Sequence, residues 1–280
     1  MPRIAILQMC SGIDPDRNFA VIRDAAHAAR KGGAAMLFTP EMSLLLDRDR
    51  KRAAAHIVPQ DETPFVPLLA DLAQQTGLTI ALGSMAVAVP GGKNANRSML
   101  FSPGGGVPVT YDKIHMFDVE LATGESWRES AAYEPGSEAV TVEDTPAGRL
   151  GLTVCYDLRF PALFGELGNR RCDAIAVPAA FTKPTGEAHW HVMLRGRAIE
   201  ASAFVIAAAQ VGTHEDGRAT YGHSLVVDPW GEVQLDMGGP EHANAPGLGF
   251  CDIDLGRVAE VRAQVPALAN RRTIPTSDGS

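Results

Sequence analysis

The feature that most constrains this 280-residue chain is a steady alternation of short apolar, β-rich runs with amphipathic helical stretches. Residues 3–9, RIAILQM, read as a first strand. Residues 18–31 carry Phe19, Ile22, Ala26 and Ala29 near 3.6-residue spacing and stop at Gly32-Gly33, which predicts a helix with one apolar face. A buried strand over 35–39 halts at Pro40, a helix over 64–76 ends at Gly77, and a long strand spans 79–89. Runs at 97–102 and 107–111 flank Pro103-Gly104-Gly105-Gly106 and predict a hairpin. The pattern then resumes, with strands over 139–142, 150–155, 174–177, 204–209, 224–227 and 249–253 and helices over 161–168 and 188–201. Pro229-Trp230-Gly231 reads as a hairpin turn with a buried tryptophan anchor. Such alternation specifies an α/β layered architecture. With no proline- or serine-rich linker, one domain is expected over residues 1–272, followed by a frayed polar tail over 273–280.

Charge and composition narrow the partners. Lys and Arg number 25 against 33 Asp and Glu, a net charge of −8 with no basic block, which argues against nucleic acid and anionic membrane surfaces. No apolar run approaches the roughly 18–20 residues that span a bilayer. The N-terminal stretch has a cation and a short apolar run, but Asp14 and Asp16 follow at once, so a strand is the better reading than a signal peptide. The four cysteines, Cys10, Cys155, Cys172 and Cys251, are widely spread with no CxxC, so reduced thiols and a cytoplasmic setting are expected. In that setting the sequon Asn96-Arg97-Ser98 is a chance match.

Three reactive side chains fall where apolar runs end. Glu41 follows AMLFTP, Lys113 follows VPVTYD, and Cys155 closes LGLTV ahead of YDLRFPAL. In α/β sheets chemistry gathers beyond the carboxyl ends of strands, so the three can meet in one pocket. A strand-to-helix turn favours a thiolate at Cys155 through the helix dipole and free amides. Glu41 suits a general base and Lys113 a charge for a developing oxyanion. Each also has a plain alternative: a small buried hydrophobe, a loop carboxylate, a solvated cation. Cys10, Cys172 and Cys251 take the first of these roles, lying in or beside apolar runs. His189-Trp190-His191 places two imidazoles at i and i+2, which diverge on a helix and do not share a metal. His115 and His223 read as hydrogen-bonded structural residues. Gly222-His223-Ser224 lacks the last glycine of a G-x-S-x-G elbow, since Val226 stands there.

PEMSLLL around Glu41, YDKIHMFD around Lys113 and LTVCYDLRFP around Cys155 together resemble the three signature segments of the nitrilase, or carbon–nitrogen hydrolase, superfamily. AVPAAFTKPTGEAHWHVMLRGRAIE and AAAQVGTHEDGRATYGHSLVVDPWGE are similar to its branch of deaminated glutathione amidases and omega-amidases. The resemblance runs from about Arg3 to Arg272 and implies a four-layer αββα sandwich. It implies Cys155 as nucleophile, Glu41 as general base and acid, and Lys113 with the Tyr156 amide as oxyanion donors. A second glutamate is implied, most plausibly Glu129 in ESWRES, with Glu125 as the competing choice. Arg159 would pair with a substrate carboxylate, and Phe181 and Thr185 would wall the acyl pocket. The resemblance implies no metal or organic cofactor, a small amide substrate carrying a carboxylate, and a homodimer or higher homo-oligomer. Deaminated glutathione is the favoured substrate, with α-ketoglutaramate, or the amides and carbamoyl compounds of other branches, as alternatives.

Overall fold

A computed structural model describes residues 1–120, 124, 126–242 and 246–274. The first half contains strands β1 (Arg3–Gln8), β2 (Met36–Phe38), β3 (Thr79–Ala88), β4 (Asn94–Phe101) and β5 (Val109–Asp112) with helices α1 (Pro15–Lys31), α2 (Arg50–Ala53) and α3 (Phe65–Thr76). A small hairpin, β6 (Asp118–Glu120) and β7 (Ser126–Arg128), leads out of it. The second half brings β8 (Val140–Thr145), β9 (Gly148–Leu152), α4 (Pro161–Asn169), β10 (Ala174–Ala176), α5 (Lys183–Ala201) and β11 (Phe204–Ala207). It closes with β12 (Val211–Thr213), β13 (Ala219–Tyr221), β14 (Leu225–Val227), β15 (Val233–Asp236), β16 (Gly247–Asp252) and α6 (Leu255–Gln264).

Two six-stranded sheets result, ordered β16-β1-β2-β3-β4-β5 and β15-β14-β11-β10-β9-β8. In each, three central strands run parallel, joined by α-helical crossovers, and the outer strands pair antiparallel. Period-two alternation assigns the faces. Ile4, Ile6, Met36 and Phe38 cluster with Leu150 and Leu152 of the other sheet, while Ala5, Leu7, Leu37 and Ile80 pack on Ile22 and Ala26 of α1 and Leu69 and Leu72 of α3. The outer face of the second sheet is covered by Phe164 of α4 and Trp190 and Leu194 of α5. The layers therefore read helix, sheet, sheet, helix, the αββα sandwich the resemblance implies. Among the described residues no helix is long and apolar enough to cross a membrane.

Several boundaries move for physical reasons. Helix α1 begins at Pro15 rather than 18, because Asp14 caps it by accepting from Asp16 and Arg17 N–H at 3.0 and 3.2 Å and proline suits the first helical turn. Helix α5 begins at Lys183 rather than 188, again with proline in its first turn. The strand expected over 150–155 ends at Leu152, and Cys155 starts a 3-10 turn, Cys155–Arg159. Helix α6, capped by Asp254, and the β6–β7 hairpin have no counterpart in the sequence reading. Trp230 does sit in the β14–β15 turn, but it is 45% exposed rather than a buried anchor. Of the expected tail, 275–280 lie outside the described residues.

Candidate active site

The seam between the sheets gathers the reactive side chains. Glu41 follows β2 in a loop that must pass close over β3. Gly83 permits this, since a Cβ there would stand 2.1 Å from the Thr39 carbonyl and 2.2 Å from that of Pro40. Ser43 and Ser84 brace the loop, Ser43 Oγ donating to the Pro40 carbonyl at 2.6 Å and Met42 N–H donating to Ser84 Oγ at 2.9 Å. Lys113 follows β5, and its N–H donates to the Asn96 carbonyl of β4 at 3.0 Å. Cys155 has φ +49, a left-handed conformation that costs a non-glycine residue, and is held there by its N–H donating to the Pro178 carbonyl at 2.8 Å.

Asp157 ties this elbow to the Lys113 segment. Its carboxylate is fully buried and accepts from Val154 N–H at 2.9 Å, Tyr111 Oη–H at 2.7 Å and His115 N–H at 3.0 Å, and meets His115 Nδ1 at 2.7 Å. The His115 ring stacks on Phe160 with centroids 3.6 Å apart. His115 thus holds structure, as the sequence suggests.

Lys113 Nζ donates to Glu41 Oε1 at 3.0 Å and to both oxygens of Glu129 at 3.0 and 2.9 Å. Glu129, on the 3-10 turn after β7, is further held by the Phe117 N–H at 2.6 Å. Glu125 lies outside the described residues. The second Glu41 oxygen accepts the Ala180 N–H at 2.9 Å. Asn96, 2% exposed, donates through Nδ2 to Glu41 at 2.9 Å and Glu129 at 3.2 Å, so the apparent sequon is a buried brace between two carboxylates.

Electrostatics assign the resting charges. Burial pushes the Glu41 carboxyl up, but Lys113 and hydrogen bonds from Cys155, Lys113 and Asn96 outweigh it and hold it below the usual carboxylate range. Burial pulls Lys113 down, yet Glu129, Glu41 and Cys155 keep the ammonium well above its ordinary value. At Cys155 the structure reverses the thiolate expectation. Burial and the Glu41 charge push the thiol well above the usual cysteine range, and Lys113 offsets only part of this. The helix behind it is also a single 3-10 turn, with little dipole to offer. The resting site is a neutral thiol beside an ionised carboxylate and a buried ammonium. As second residue of that turn, Tyr156 presents an N–H with no acceptor within the helix.

These groups open into a cavity of about 1130 Å³, which Phe181 and Thr185 also line. Phe181 packs on Trp190 with centroids 4.8 Å apart, and Thr185 Oγ1 pairs with Thr182 Oγ1 at 2.8 Å. Arg159 stands behind the wall: its guanidinium lies 5.8 Å from the Tyr156 ring and 5.4 Å from that of Phe181, with Nη1 3.3 Å from His189 Nδ1. It is not among the described residues lining the cavity. Arg48, Arg50, Arg52, Arg128 and Arg218 also line it, with Arg218 over the Trp127 ring at 4.8 Å. Asn96 Oδ1, Trp127 Nε1 and Arg218 Nε are buried without a partner among the described residues, and all three side chains line this same cavity.

A buried cysteine, glutamate and lysine converging at the seam of an αββα sandwich define a class of hydrolases. The carbon-nitrogen hydrolase family model matches residues 3–263, and a protein of Yersinia enterocolitica named deaminated glutathione amidase is 39% identical over 97% of this chain and 93% of its own length. The chain belongs to the carbon–nitrogen hydrolase family, whose members hydrolyse C–N bonds. Among solved structures, the NitFhit protein of C. elegans superposes with a TM-score of 0.87 at 33% identity over 97% of this chain, which spans 65% of that longer one. An amidase from Nesterenkonia sp. AN1, solved after Michael addition of acrylamide at its active-site cysteine, gives 0.77 at 25% identity over 95% of this chain and 98% of that one.

Proposed function

We propose that this protein is a thiol-dependent amidase that hydrolyses deaminated glutathione to 2-oxoglutarate and Cys-Gly, with its hydrolase domain spanning residues 1–272. The observation that carries the reading is the convergence of buried Cys155, Glu41 and Lys113 on one cavity, with Lys113 Nζ 3.0 Å from Glu41 Oε1. Glu41 takes the thiol proton as Cys155 Sγ attacks the amide carbon. The oxyanion forms against Lys113 Nζ and the Tyr156 N–H, donors worth roughly 3–4 kcal/mol each. Glu41 then protonates the leaving amine, the C–N bond breaks and a thioester remains. Glu41 next deprotonates the water that cleaves the thioester, releasing the acid and the free thiol. Glu129 holds Lys113 in place, and no metal takes part.

The cavity supports a substrate with a sizeable leaving group. Its roughly 1130 Å³ exceeds the 300–1,000 Å³ of ordinary small-molecule pockets, leaving room for a dipeptide beyond the acyl group. In this reading the acyl carboxylate is met by Arg159 near Phe181 and Thr185, the guanidinium exchanging its contact with His189 for the ligand. The arginines lining the cavity suit the carboxylate of the leaving dipeptide. The name carried by the Yersinia enterocolitica relative agrees with this choice. The test is 2-oxoglutarate release from deaminated glutathione and α-ketoglutaramate side by side. Faster turnover of deaminated glutathione, lost in Cys155→Ala, is expected. Preference for α-ketoglutaramate would make the protein an omega-amidase, and turnover only of simple amides or N-carbamoyl amino acids would move it to another branch.

All four cysteines are unpaired, which suits a reducing cytoplasm. We also assign a homodimer. Val192 and Ile199 lie seven residues apart on one face of α5 and are 67% and 51% exposed, and Ile199 lies against Gly231, the residue after the exposed Trp230, an apolar surface that a second copy would cover. Light scattering of the wild type should give a dimer and of Val192→Glu a monomer; a monomeric wild type would overturn the assignment.

A further inference from the structure

Two histidines that the catalytic site does not use converge on a single carboxylate. His191 stands on α5, His223 between β13 and β14, and Asp236 ends β15. His191 Nε2 is 3.0 Å from Asp236 Oδ2, and His223 Nδ1 is 2.9 and 3.1 Å from the two carboxylate oxygens. One ligand atom from each residue can be chosen so that all lie within 4.8 Å of one another. We propose that His191, His223 and Asp236 form a binding site for a divalent transition-metal ion, with Zn²⁺ the best chemical fit. The site is separate from the catalytic cavity, whose described lining contains none of the three.

The donor set selects this class of ion. Two imidazole nitrogens and one carboxylate suit Zn²⁺ and its neighbours, whereas Ca²⁺ and Mg²⁺ demand oxygen. In a tetrahedral Zn²⁺ site with bonds of about 2.0–2.2 Å, ligand atoms stand about 3.3–3.6 Å apart. The nitrogen–oxygen separations of 2.9–3.1 Å therefore need to widen by only a few tenths of an ångström. The two imidazole planes cross at 72° with centroids 4.9 Å apart, so the rings meet edge to face instead of stacking over one another.

The surrounding contacts fix the donors before any ion arrives. Asp236 Oδ1 accepts the Gly238 N–H at 2.9 Å. His223 is clamped at both ends of its backbone, its N–H donating to the Gly238 carbonyl at 2.9 Å and its carbonyl accepting from Trp190 Nε1 at 2.8 Å. The Tyr221 ring stacks on that of His223 with centroids 4.5 Å apart. Such bracing lowers the ordering that an ion must impose. His191 is 36% and Asp236 34% exposed, which leaves an entry path and a fourth position for water. The neighbouring His189 faces Arg159 instead, so the partner of His191 comes from another element and not from its own helix.

The test is titration of the Cys155→Ala protein with Co²⁺, followed by visible absorption and displaced with Zn²⁺. That background removes the catalytic thiol as a competing ligand. One equivalent of saturable Co²⁺ absorption is expected, and Zn²⁺ should abolish it by displacement. His191→Gln, a change on a half-exposed helix surface, and Asp236→Asn should each weaken binding at least tenfold while leaving far-UV circular dichroism unchanged. No saturable absorption at millimolar Co²⁺, or absorption that survives both substitutions, would overturn the proposal and leave a hydrogen-bonded cluster. Neither result depends on the amidase reading.

Discussion

Lys113→Met strips the one cation from between two carboxylates and leaves the cavity wall otherwise intact. Lys113 is 2% exposed at its side chain, with Glu41 at 6% and Glu129 at 14%, and the N···O distances are 2.9–3.0 Å. Removing one partner of such a buried pair costs about 3–5 kcal/mol, and the remaining Asn96 donor argues for the lower end. The cost has a definite pH dependence. In the wild type Glu41 titrates below its unfolded value, so its contribution is present above the unfolded pKa and lost as pH falls through the folded one. Without Lys113, burial dominates and raises the folded pKa of Glu41. Its contribution then holds below the unfolded pKa and is lost as pH rises through the folded one. The variant should therefore lose about 3 kcal/mol at about pH 7.5 and much less at about pH 4.5. Urea unfolding followed by tryptophan fluorescence at the two pH values measures both. Equal losses at both, or no loss at neutral pH, would refute the charge assignment. Turnover at neutral pH should fall by about 10²–10³ from the missing oxyanion donor alone.

Further outcomes follow from the same geometry. Cys155→Ala should abolish turnover with no change in circular dichroism, and Glu41→Gln should stop turnover although Cys155 remains in place; turnover that survives Glu41→Gln would remove Glu41 as the group that takes the thiol proton. Gly83→Ala should lower the thermal midpoint and kcat together, since its Cβ would strike the Thr39 and Pro40 carbonyls that carry Glu41; a variant of native stability and rate would show that the loop can yield. Arg159→Leu should raise KM for deaminated glutathione at least tenfold with a smaller change in kcat, and an unchanged KM would remove Arg159 from substrate recognition.

The residues that sequence reading found are those whose signal is local. Short continuous apolar runs marked the central strands of both sheets because each is buried on two faces. Glu41, Lys113 and Cys155 announced themselves by standing at strand ends inside recognisable segments, and Glu129 by its place in ESWRES. What escaped depends on contacts between distant segments. Asn96 sits in an ordinary strand and becomes a brace only when Glu41 and Glu129 arrive 55 and 33 residues away. Asp157 follows the nucleophile by two residues, yet its role is set by Tyr111 and His115 across the seam. The thiolate expectation failed because helix position was visible and burial was not. Helix α6 was missed because it is polar on most of its surface, with Val258 and Val261 as its buried residues.

The division of the proposed catalytic groups between the two sheets has a consequence for the history of each molecule after synthesis. Glu41 and Lys113 arrive with the first sheet and Cys155 with the second, so neither half carries a competent set. On the proposed mechanism a partly folded chain is chemically silent, its thiol lacking both its proton acceptor and its counter-charge. Return of activity after dilution from denaturant therefore times the docking of sheet on sheet, and should lag behind the return of secondary structure whenever the sheets form before they meet.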